Sequence, residues 1–294
     1  MKKFIKKLAI ITAIIFILLF CLDILYTEVY VHSYPRNKTK YVLQLKNKKI
    51  DYIFLGSSRV ENHIDTKLVN KLTLKKALNL GVQGAKLDDN YLLLKLLINN
   101  NIKVEKLFLQ VDYIYNFESG STIVSSECLP YIRNNEIIRA HLEAGSPNYF
   151  ENYYMPFYRY ATHDYKIGFR EFFSSAINKK SKIDFDDGFV PKEEQFTGDK
   201  NYKLPDSIIE HNKIFESIDQ LCKANNIDVV YFCAPFCSTV RDSKYIDQLK
   251  AKIPTLKDYS KFLEDKYFYN CGHLNKKGAE IFTEKLVNDF LNEK

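Results

Sequence analysis

The first apolar stretch of the chain is long, continuous and free of charge. Residues 8–22 read LAIITAIIFILLFCL, and the apolar character continues past Asp23 to Tyr26. The nineteen residues from Leu8 to Tyr26 are enough to cross a bilayer core of about 30 Å as a helix. Four lysines precede the run. Because positive flanks stay on the cytoplasmic side, we expect the rest of the chain to lie outside.

A cleaved signal peptide and a buried soluble helix are the alternatives to an uncleaved anchor. A cleavage site needs small residues at set positions, and none stands clearly after the apolar run. A lipoprotein signal needs a small residue just before its cysteine, whereas Phe20 precedes Cys21. The sequence therefore favours an anchor in residues 1–27 and a basic juxtamembrane stalk in residues 28–49. A solvated linker is the favoured interpretation of the stalk, and binding to anionic lipid is the alternative.

Beyond the stalk, short β-type apolar runs alternate with helical periods. The runs that predict strands are 50–55, 77–80, 106–111 and 228–234. The periods that predict helices are 65–71, 87–99, 206–225, 244–252, 259–263 and 275–291. Such alternation indicates a parallel sheet with helices on both faces, a three-layer α/β/α domain over residues 50–294.

An insertion at about 113–205 breaks this alternation. The stretch is aromatic and irregular, and it contains the acid-rich sequence IDFDDGF at 183–189. A cluster of its tyrosines consists of Tyr149, Tyr153, Tyr154, Tyr158 and Tyr160. Packing in a helical core is the favoured interpretation of these rings, and stacking on sugar rings is the alternative.

The charge of the chain is concentrated near its N-terminus. The 294 residues carry 43 Lys and Arg and 36 Asp and Glu, a formal net charge of +7. Residues 1–50 contain ten Lys and Arg and two acids, which is +8, so residues 51–294 carry a net −1. A main domain with this balance does not support a nucleic-acid surface. The positive excess instead marks membrane topology.

The six cysteines show no metal-binding spacing. Cys21 lies in the apolar run, so an odd number remains for the domain and at least one thiol is expected to stay unpaired. The sequence contains no CxxC motif and no His/Cys cluster with the spacing of a zinc site. We therefore predict neither a metal nor a diffusible cofactor.

Two candidate catalytic residues stand where parallel sheets place their ligand sites, beside the carboxyl ends of strands. Gly56-Ser57-Ser58 follows the first strand, and His273 precedes the last helix. A serine hydroxyl is a poor nucleophile until a base takes its proton, and histidine is the usual base. Geometry rather than chain order assembles such sites, so Ser58 and His273 are a candidate pair. A single histidine is nevertheless more often structural.

Three sequence blocks resemble those of the SGNH (GDSL-type) hydrolases. The blocks are IFLGSSRV at 53–60, NLGVQGA at 79–85 and NCGHLNKKGAEIF at 270–282. The resemblance covers residues 50–290 and implies a flavodoxin-like fold. It also implies that Ser58 is the nucleophile and that His273 is the general base. The backbone amides of Ser58 and Gly84 would then hold the oxyanion.

The chain departs from the family pattern at two points. Asn270 stands where the family has the aspartate of its triad, three residues before the histidine. Asn270 is then expected to orient His273, and Asp112 or Asp265 is an alternative carboxylate. The third block, Gly-x-Asn-Asp, is replaced by VDYIYN, so an oxyanion-binding asparagine is not evident and Asn116 is a weak substitute.

The resemblance extends to membrane-anchored, extracytoplasmic members, similar to DltD-type proteins and to polysaccharide O-acetylation proteins. It implies a serine esterase or acyltransferase that acts on an O-acetyl or D-alanyl ester of a cell-envelope polysaccharide or teichoic-type polymer. A multi-spanning membrane O-acyltransferase is the candidate protein partner. The alternative is a catalytically degenerate domain that binds glycan or such a partner. A soluble nucleotide-binding protein fits poorly, since no strand is followed by a phosphate-type glycine-rich loop.

Overall fold

The computed structural model describes residues 1–192, 202–240 and 244–291. The chain divides into two compact units, each built from two separate segments. Residues 1–40 and 122–181 form one, which we call the anchor unit. Residues 41–121 and 182–294 form the other, which we call the sheet unit. The predicted insertion therefore contributes to both units, and part of it lies outside the described residues.

The sheet unit is built on parallel strands. They are β1 Lys49–Leu55, β2 Ala77–Asn79, β3 Lys103–Gln110, β4 Asp228–Cys233 and β5 Lys257–Asp258. Every neighbouring pair is parallel, in the order β2-β1-β3-β4-β5, which is the order of flavodoxin-like doubly wound sheets. Two further short strands, β6 Phe268–Asn270 and β7 His273–Leu274, form an antiparallel pair. The predicted α/β fold is confirmed.

Five of the six predicted helical periods contain a helix. The α-helices are α1 Lys2–His32, α2 Lys38–Gln44, α3 Ser58–Glu61, α4 Thr66–Thr73, α5 Leu87–Asn99, α6 Thr122–Cys128, α7 Glu136–Gly145, α8 Tyr149–Tyr154, α9 Tyr158–Thr162, α10 Asp164–Ile167, α11 Phe169–Ala176, α12 Lys213–Ala224, α13 Lys244–Lys252 and α14 Lys276–Phe290. In the sheet unit α4 packs with α14, and α5 packs with α12. Right-handed crossovers put these two pairs on opposite faces of the sheet.

Both faces of the sheet are covered, as a parallel sheet requires. Residues 50–55 of β1 are all buried, and Leu107 and Leu109 of β3 are fully buried. Strand β2 lies at the outer edge of the sheet, and the acid-rich segment 184–190 covers that edge. There the Asn79 amide donates to the Asp187 carbonyl at 2.9 Å. The sequence IDFDDGF thus closes a sheet edge that would otherwise expose unpaired backbone groups.

Two predicted helices differ from the observed structure. The helix predicted at 206–225 begins only at Lys213, because the Asn116 side chain holds the preceding segment through the Ser207 carbonyl and the Ile209 amide. The short helix predicted at 259–263 is a turn after the unpredicted edge strand β5. In that turn the Phe262 amide donates to the Tyr259 carbonyl at 2.9 Å.

The anchor unit contains one helix that is long and apolar enough to cross a membrane. Helix α1 is continuous for 31 residues, and most of its apolar side chains are exposed. It continues to His32, past the predicted end of the anchor at residue 27. Helices α6 to α11 form the rest of the unit.

The predicted stalk at 28–49 is more ordered than a solvated linker. Helix α1 continues into it, α2 follows, and Lys38, Thr39 and Lys40 are buried. Within the anchor unit the Lys40 ammonium donates to Ser33 Oγ. Because a lysine is rarely buried without a hydrogen-bond partner, this contact explains how the basic segment packs instead of staying in solvent.

Candidate active site

A sharp turn at the end of β1 presents Ser58. Gly56 starts the turn, where a side-chain Cβ would lie 2.4 Å from a methyl carbon of Val60, so only glycine fits. Ser57 Oγ then accepts the Arg59 amide at 3.2 Å, which caps the first turn of α3. Ser58 opens α3 at the carboxyl end of β1, with 9% of its surface exposed.

His273 contacts Ser58 from the opposite end of the sequence. Ser58 Oγ lies 2.8 Å from His273 Nε2, and His273 Nδ1 lies 2.9 Å from Asn270 Oδ1. The Gly272 amide donates to the same Asn270 oxygen at 3.0 Å. Because that oxygen faces an N–H donor, the amide orientation is fixed and Nδ1 must carry the proton. Nε2 is then free to accept the proton of Ser58.

The surroundings of His273 keep the imidazole neutral. Burial, assisted by the positive charges of Arg59 and Lys192, lowers the pKa of His273 to about 4. A neutral imidazole is the form that a general base requires. Among the described residues, the hydrogen-bond partner that faces Nδ1 of an imidazolium formed during a reaction is the neutral amide of Asn270.

A buried arginine braces the turn that carries Ser58. The Arg59 guanidinium is 1% exposed and forms an ion pair with Asp112, with 2.9 Å between Nε and Oδ2. It donates to the carbonyls of Ala234 and Pro235 at 2.7 and 2.9 Å. It also lies 3.5 Å from the centre of the Phe236 ring. Arg59 thus ties the nucleophile turn to the ends of β3 and β4.

Gln110 connects this brace to the other side of the turn. Its Oε1 accepts the amide and the hydroxyl of Ser57, at 2.8 and 2.9 Å, and its Nε2 donates to Asp112 at 2.6 Å. No sequence motif pointed to Gln110 or Arg59. The signal that could have indicated Gln110 is a polar residue at the end of the apolar strand KLFLQ, and the structure buries this residue fully.

The two alternative carboxylates make other contacts. Asp112 is buried and is committed to Arg59 and Gln110, whereas Asp265 accepts the amide and the hydroxyl of Ser238. Both ring nitrogens of His273 already have partners, in Ser58 and Asn270. The structure therefore offers Asn270 as the group that orients the imidazole.

Gly84, the candidate oxyanion donor, lies in a turn close to the start of the nucleophile loop. The Val82 amide donates to the Gly56 carbonyl at 3.1 Å, and the Ala85 amide donates back to Val82 at 3.0 Å. Gly84 itself has a φ of +71°, which favours glycine, and it is exposed. The oxyanion role of the Gly84 and Ser58 amides stays a prediction.

Asn116, the weak substitute for the missing oxyanion donor, is engaged elsewhere. Its amide nitrogen donates to the Ser207 carbonyl at 2.7 Å. Its oxygen accepts from the Ile209 amide and the Tyr245 hydroxyl, both at 3.2 Å. These contacts give Asn116 a structural role in holding the segment before α12.

Two features that the sequence analysis did not predict hold the loop of His273. Cys237 and Cys271 form a disulfide directly beside Asn270, while Cys128, Cys222 and Cys233 are buried thiols outside any disulfide. His63 is fully buried, and its Nε2 accepts the Leu274 amide at 3.0 Å. Burial and neighbouring positive charge lower the pKa of His63 well below its usual range, so it stays neutral.

Within the described residues, no three His, Cys, Asp or Glu side chains are grouped to hold a metal ion. No protein-family model and no curated protein matches the chain. One solved structure, described provisionally as a platelet activating factor from Streptococcus pneumonia, is 18% identical to it. That similarity covers 86% of this chain and 90% of the other, with a TM-score of 0.30. A likeness at this level assigns no activity, so the function must be argued from the site.

Proposed function

We propose that the protein is a membrane-anchored serine esterase or acyltransferase of the SGNH type. The observation that carries this proposal is the line of contacts from Ser58 Oγ through His273 to Asn270, at 2.8 and 2.9 Å. It joins residues 215 positions apart in the sequence. A buried ionic brace, Arg59 with Asp112, supports the serine turn from behind. These contacts support the assignment of Ser58 as nucleophile, His273 as its base and Asn270 as the orienting group.

The proposed reaction begins with attack of Ser58 Oγ on the carbonyl carbon of an ester. His273 Nε2 takes the hydroxyl proton, and the backbone amides of Ser58 and Gly84 stabilise the oxyanion. His273 then gives the proton to the leaving alkoxide, and the ester C–O bond breaks to leave acyl-Ser58. Water completes an esterase cycle, whereas a sugar hydroxyl completes a transferase cycle. In both cases His273 removes the proton of the attacking hydroxyl and returns it to Ser58 Oγ as the acyl–Oγ bond breaks, which releases the acid or the new ester.

The proposed location is the outer side of a membrane. Helix α1 has the length and composition of an anchor, and lysines flank its N-terminus. The Cys237–Cys271 disulfide supports the same side, because disulfides persist in oxidising compartments. The substrates proposed for this setting are O-acetyl or D-alanyl esters of a cell-envelope polysaccharide or teichoic-type polymer. A multi-spanning membrane O-acyltransferase is the proposed protein partner.

A second candidate function is a non-catalytic domain that binds glycan or the membrane acyltransferase. Asn270 favours it, because a neutral amide offers no charge to an imidazolium. The low pKa of His273, about 4, also favours it, because the imidazole is a weak base. The commitment of the Asn116 amide to the Ser207 carbonyl removes one substitute oxyanion donor.

Labelling of the full-length protein in detergent micelles with a fluorophosphonate probe separates the two candidates. We expect the wild type to be labelled and both Ser58→Ala and His273→Ala to lose the label. Ser57→Ala is the matched control, because Ser57 Oγ contacts Gln110 and the Arg59 amide rather than His273. Folded wild type that takes no label but still binds envelope glycan would favour the binding domain.

The orientation of the membrane helix has its own test. An alkaline phosphatase fused after residue 40 is active only outside the cytoplasm, so we expect it to be active. The matching fusion to a reporter that works only in the cytoplasm should be inactive. The reverse pair of results would rule out the proposed location without bearing on the Ser58 chemistry.

A further inference from the structure

We propose that the anchor unit embeds an aromatic surface in the lipid headgroup interface at the C-terminal end of helix α1. The surface, which we call the aromatic patch, is formed by exposed side chains of α8, α11 and the residues that follow each helix. They are Phe150, Tyr154, Met155, Phe169, Phe173 and Ile177. The partner of this surface is lipid, not a protein, and the proposal concerns the anchor unit alone.

The large apolar side chains of the patch are each about half exposed or more. Phe169 is 68% exposed and Phe150 is 65% exposed. Phe169, Phe173 and Ile177 are spaced four residues apart, so they form a stripe on one face of α11. Phe150 and Tyr154 show the same spacing, and their ring centres lie 4.8 Å apart. Large exposed apolar side chains grouped in this way mark an interaction site.

The positions of Asp23 and Tyr26 along α1 put this surface near the outer boundary of the hydrocarbon core. From Leu8, the first residue of the apolar run, Asp23 lies about 22 Å along the helix axis and Tyr26 about 27 Å. A hydrocarbon core of about 30 Å that begins at Leu8 therefore ends just beyond Tyr26. Parts of the anchor unit that pack against these two residues lie at the boundary between the hydrocarbon and the headgroups.

The insertion packs against α1 at that level. The buried Asp23 carboxylate accepts from the Arg133 and Arg159 guanidinium groups at 2.7 and 2.8 Å. Its second oxygen accepts the Phe157 amide, two residues beyond Met155, at 2.8 Å. A carboxylate within an apolar helix is costly unless it is paired, so these contacts fix the segment after α8 to the helix.

Tyr26 fixes the second part of the patch in the same way. Its ring stacks on Phe172 of α11, with 3.9 Å between the ring centres. Phe172 points toward α1, and its neighbour Phe173 lies on the exposed stripe. The exposed apolar side of α1 and the aromatic patch are thus joined within one unit. Lipid that covers the helix would continue over the patch.

The charges around α11 fit lipid headgroups. Arg170, Lys179 and Lys180 are exposed and stand between or just beyond the aromatic residues. Aromatic rings with interspersed basic residues are typical of surfaces that lie in the headgroup layer, where rings enter the boundary and cations face phosphate. A buried protein interface would instead be depleted of lysine.

The absence of tryptophan from the chain allows a direct test. Full-length protein carrying Phe169→Trp, Phe173→Trp or Phe150→Trp has a single indole at the patch. The variants are reconstituted in phospholipid vesicles with and without lipids brominated near the top of the acyl chain. Phe16→Trp, in the exposed part of α1, is the positive control, and free N-acetyltryptophanamide represents an aqueous indole.

We expect brominated lipid to quench the patch indoles to an extent that approaches the Phe16→Trp control, with blue-shifted emission and protection from aqueous iodide. Iodide quenching as strong as that of the free indole, with no effect of brominated lipid, overturns the proposal. Protection from both quenchers also overturns it, because it indicates a contact with protein. Failure of lipid to quench the Phe16→Trp control would instead show that α1 is not in the bilayer, and would overturn the premise.

Discussion

Among the described residues, each unit contains one fully buried arginine, and the two arginines have different surroundings. Arg59 in the sheet unit forms an ion pair with Asp112, and its Nη2 donates to the backbone carbonyls of Ala234 and Pro235, which follow β4. Arg159 in the anchor unit shares Asp23 with Arg133, and it also donates to Thr27 of α1 at 2.9 Å. The first arginine braces a loop, and the second joins a helix to an insertion.

One kind of buried ion pair can therefore brace the turn of a candidate nucleophile in one unit and hold an insertion to a helix in the other. Arg59 directly follows Ser58, so any shift of its guanidinium moves the candidate nucleophile. Arg159 contacts Asp23 and Thr27 of α1, so its loss weakens the attachment of the insertion to that helix. Loss of Arg59 leaves Asp112 buried without its ion-pair partner, which costs several kcal/mol, whereas loss of Arg159 leaves Asp23 paired with Arg133. Only one of them should change the reactivity of the site.

The largest expected change restores a charge beside His273. Asn270→Asp provides a carboxylate for the imidazolium, so we expect hydrolysis of a small aryl ester to rise by up to about 10⁴-fold, the factor by which the opposite change lowers turnover in a serine protease. Asn270→Ala, which removes the acceptor of Nδ1, should lower the rate below that of wild type. Equal rates for all three proteins would contradict the orienting role of Asn270.

Removal of the buried arginines tests the comparison directly. We expect Arg59→Met to lower the free energy of unfolding by about 3–5 kcal/mol, because it leaves the buried Asp112 without its ion-pair partner. Arg159→Met should lower the free energy of unfolding by less, because Arg133 stays paired with Asp23. Fluorophosphonate labelling of the protein that remains folded should be lost in Arg59→Met and kept in Arg159→Met. Loss of labelling in both variants would show that the anchor-unit cluster also supports the site.

The disulfide near Asn270 should stabilise the loop of His273 but not take part in the reaction. Cys237 and Cys271 are 34 residues apart, and closing a loop of that length contributes about 4 kcal/mol in the chain-entropy account. We expect the double substitution Cys237→Ser/Cys271→Ser to lower the unfolding midpoint in urea accordingly. Cys222→Ser, which removes a free buried thiol, is the control and should have a smaller effect.

The smallest predicted effect is on pH dependence. The pKa of His273 is about 4 in the folded chain and about 6.5 in an unfolded one. The unfolded chain therefore binds the additional proton between these pH values, and stability falls as pH falls through that window, by at most about 3 kcal/mol. The difference in unfolding free energy between wild type and His273→Asn should show this slope and then level off below about pH 4.

The activity profile provides a second measurement of the same group. Because the base form of His273 persists to low pH, we expect the acid limb of hydrolysis to fall near pH 4 instead of near 6.5. Asn270→Asp should move that limb upward, because a carboxylate stabilises the imidazolium. A wild-type limb near 6.5 would show that His273 is more hydrated than its burial indicates.

Much of the sheet unit was predictable, because its local signals agree with its packing. Helices 87–99 and 244–252 have the predicted bounds, and Asp65 caps α4 as expected, accepting the Leu68 amide at 3.1 Å. The separation of Ser58 from His273 did not hide the pair, since Ser58 directly follows a predicted strand and His273 directly precedes the last predicted helix. The edge strand β5 has only two residues, too few for a periodic signal.

The anchor unit was less predictable, because long-range contacts define it. Asp23 looked like an interruption of an apolar run, and nothing beside it in sequence indicates its two arginine partners. The tyrosines of the insertion have mixed roles. Tyr160 is 1% exposed in the helical core, as the favoured interpretation expected, while Tyr154 is 61% exposed. Ring burial depends on which neighbours the fold supplies, and composition does not reveal them.

The sequence by itself determined the apolar helix, the parallel sheet, the position of Ser58 at the carboxyl end of the first strand and the position of His273 before the last helix. Period, chain direction and turn residues act locally, so they can be read from a single chain. Only the tertiary structure decided that Arg59 braces the serine turn and that Asp23 pairs with distant arginines. It also decided that Asn270, rather than Asp112 or Asp265, contacts the imidazole. Those roles depend on distances of about 3 Å between residues far apart in sequence, and packing alone sets such distances.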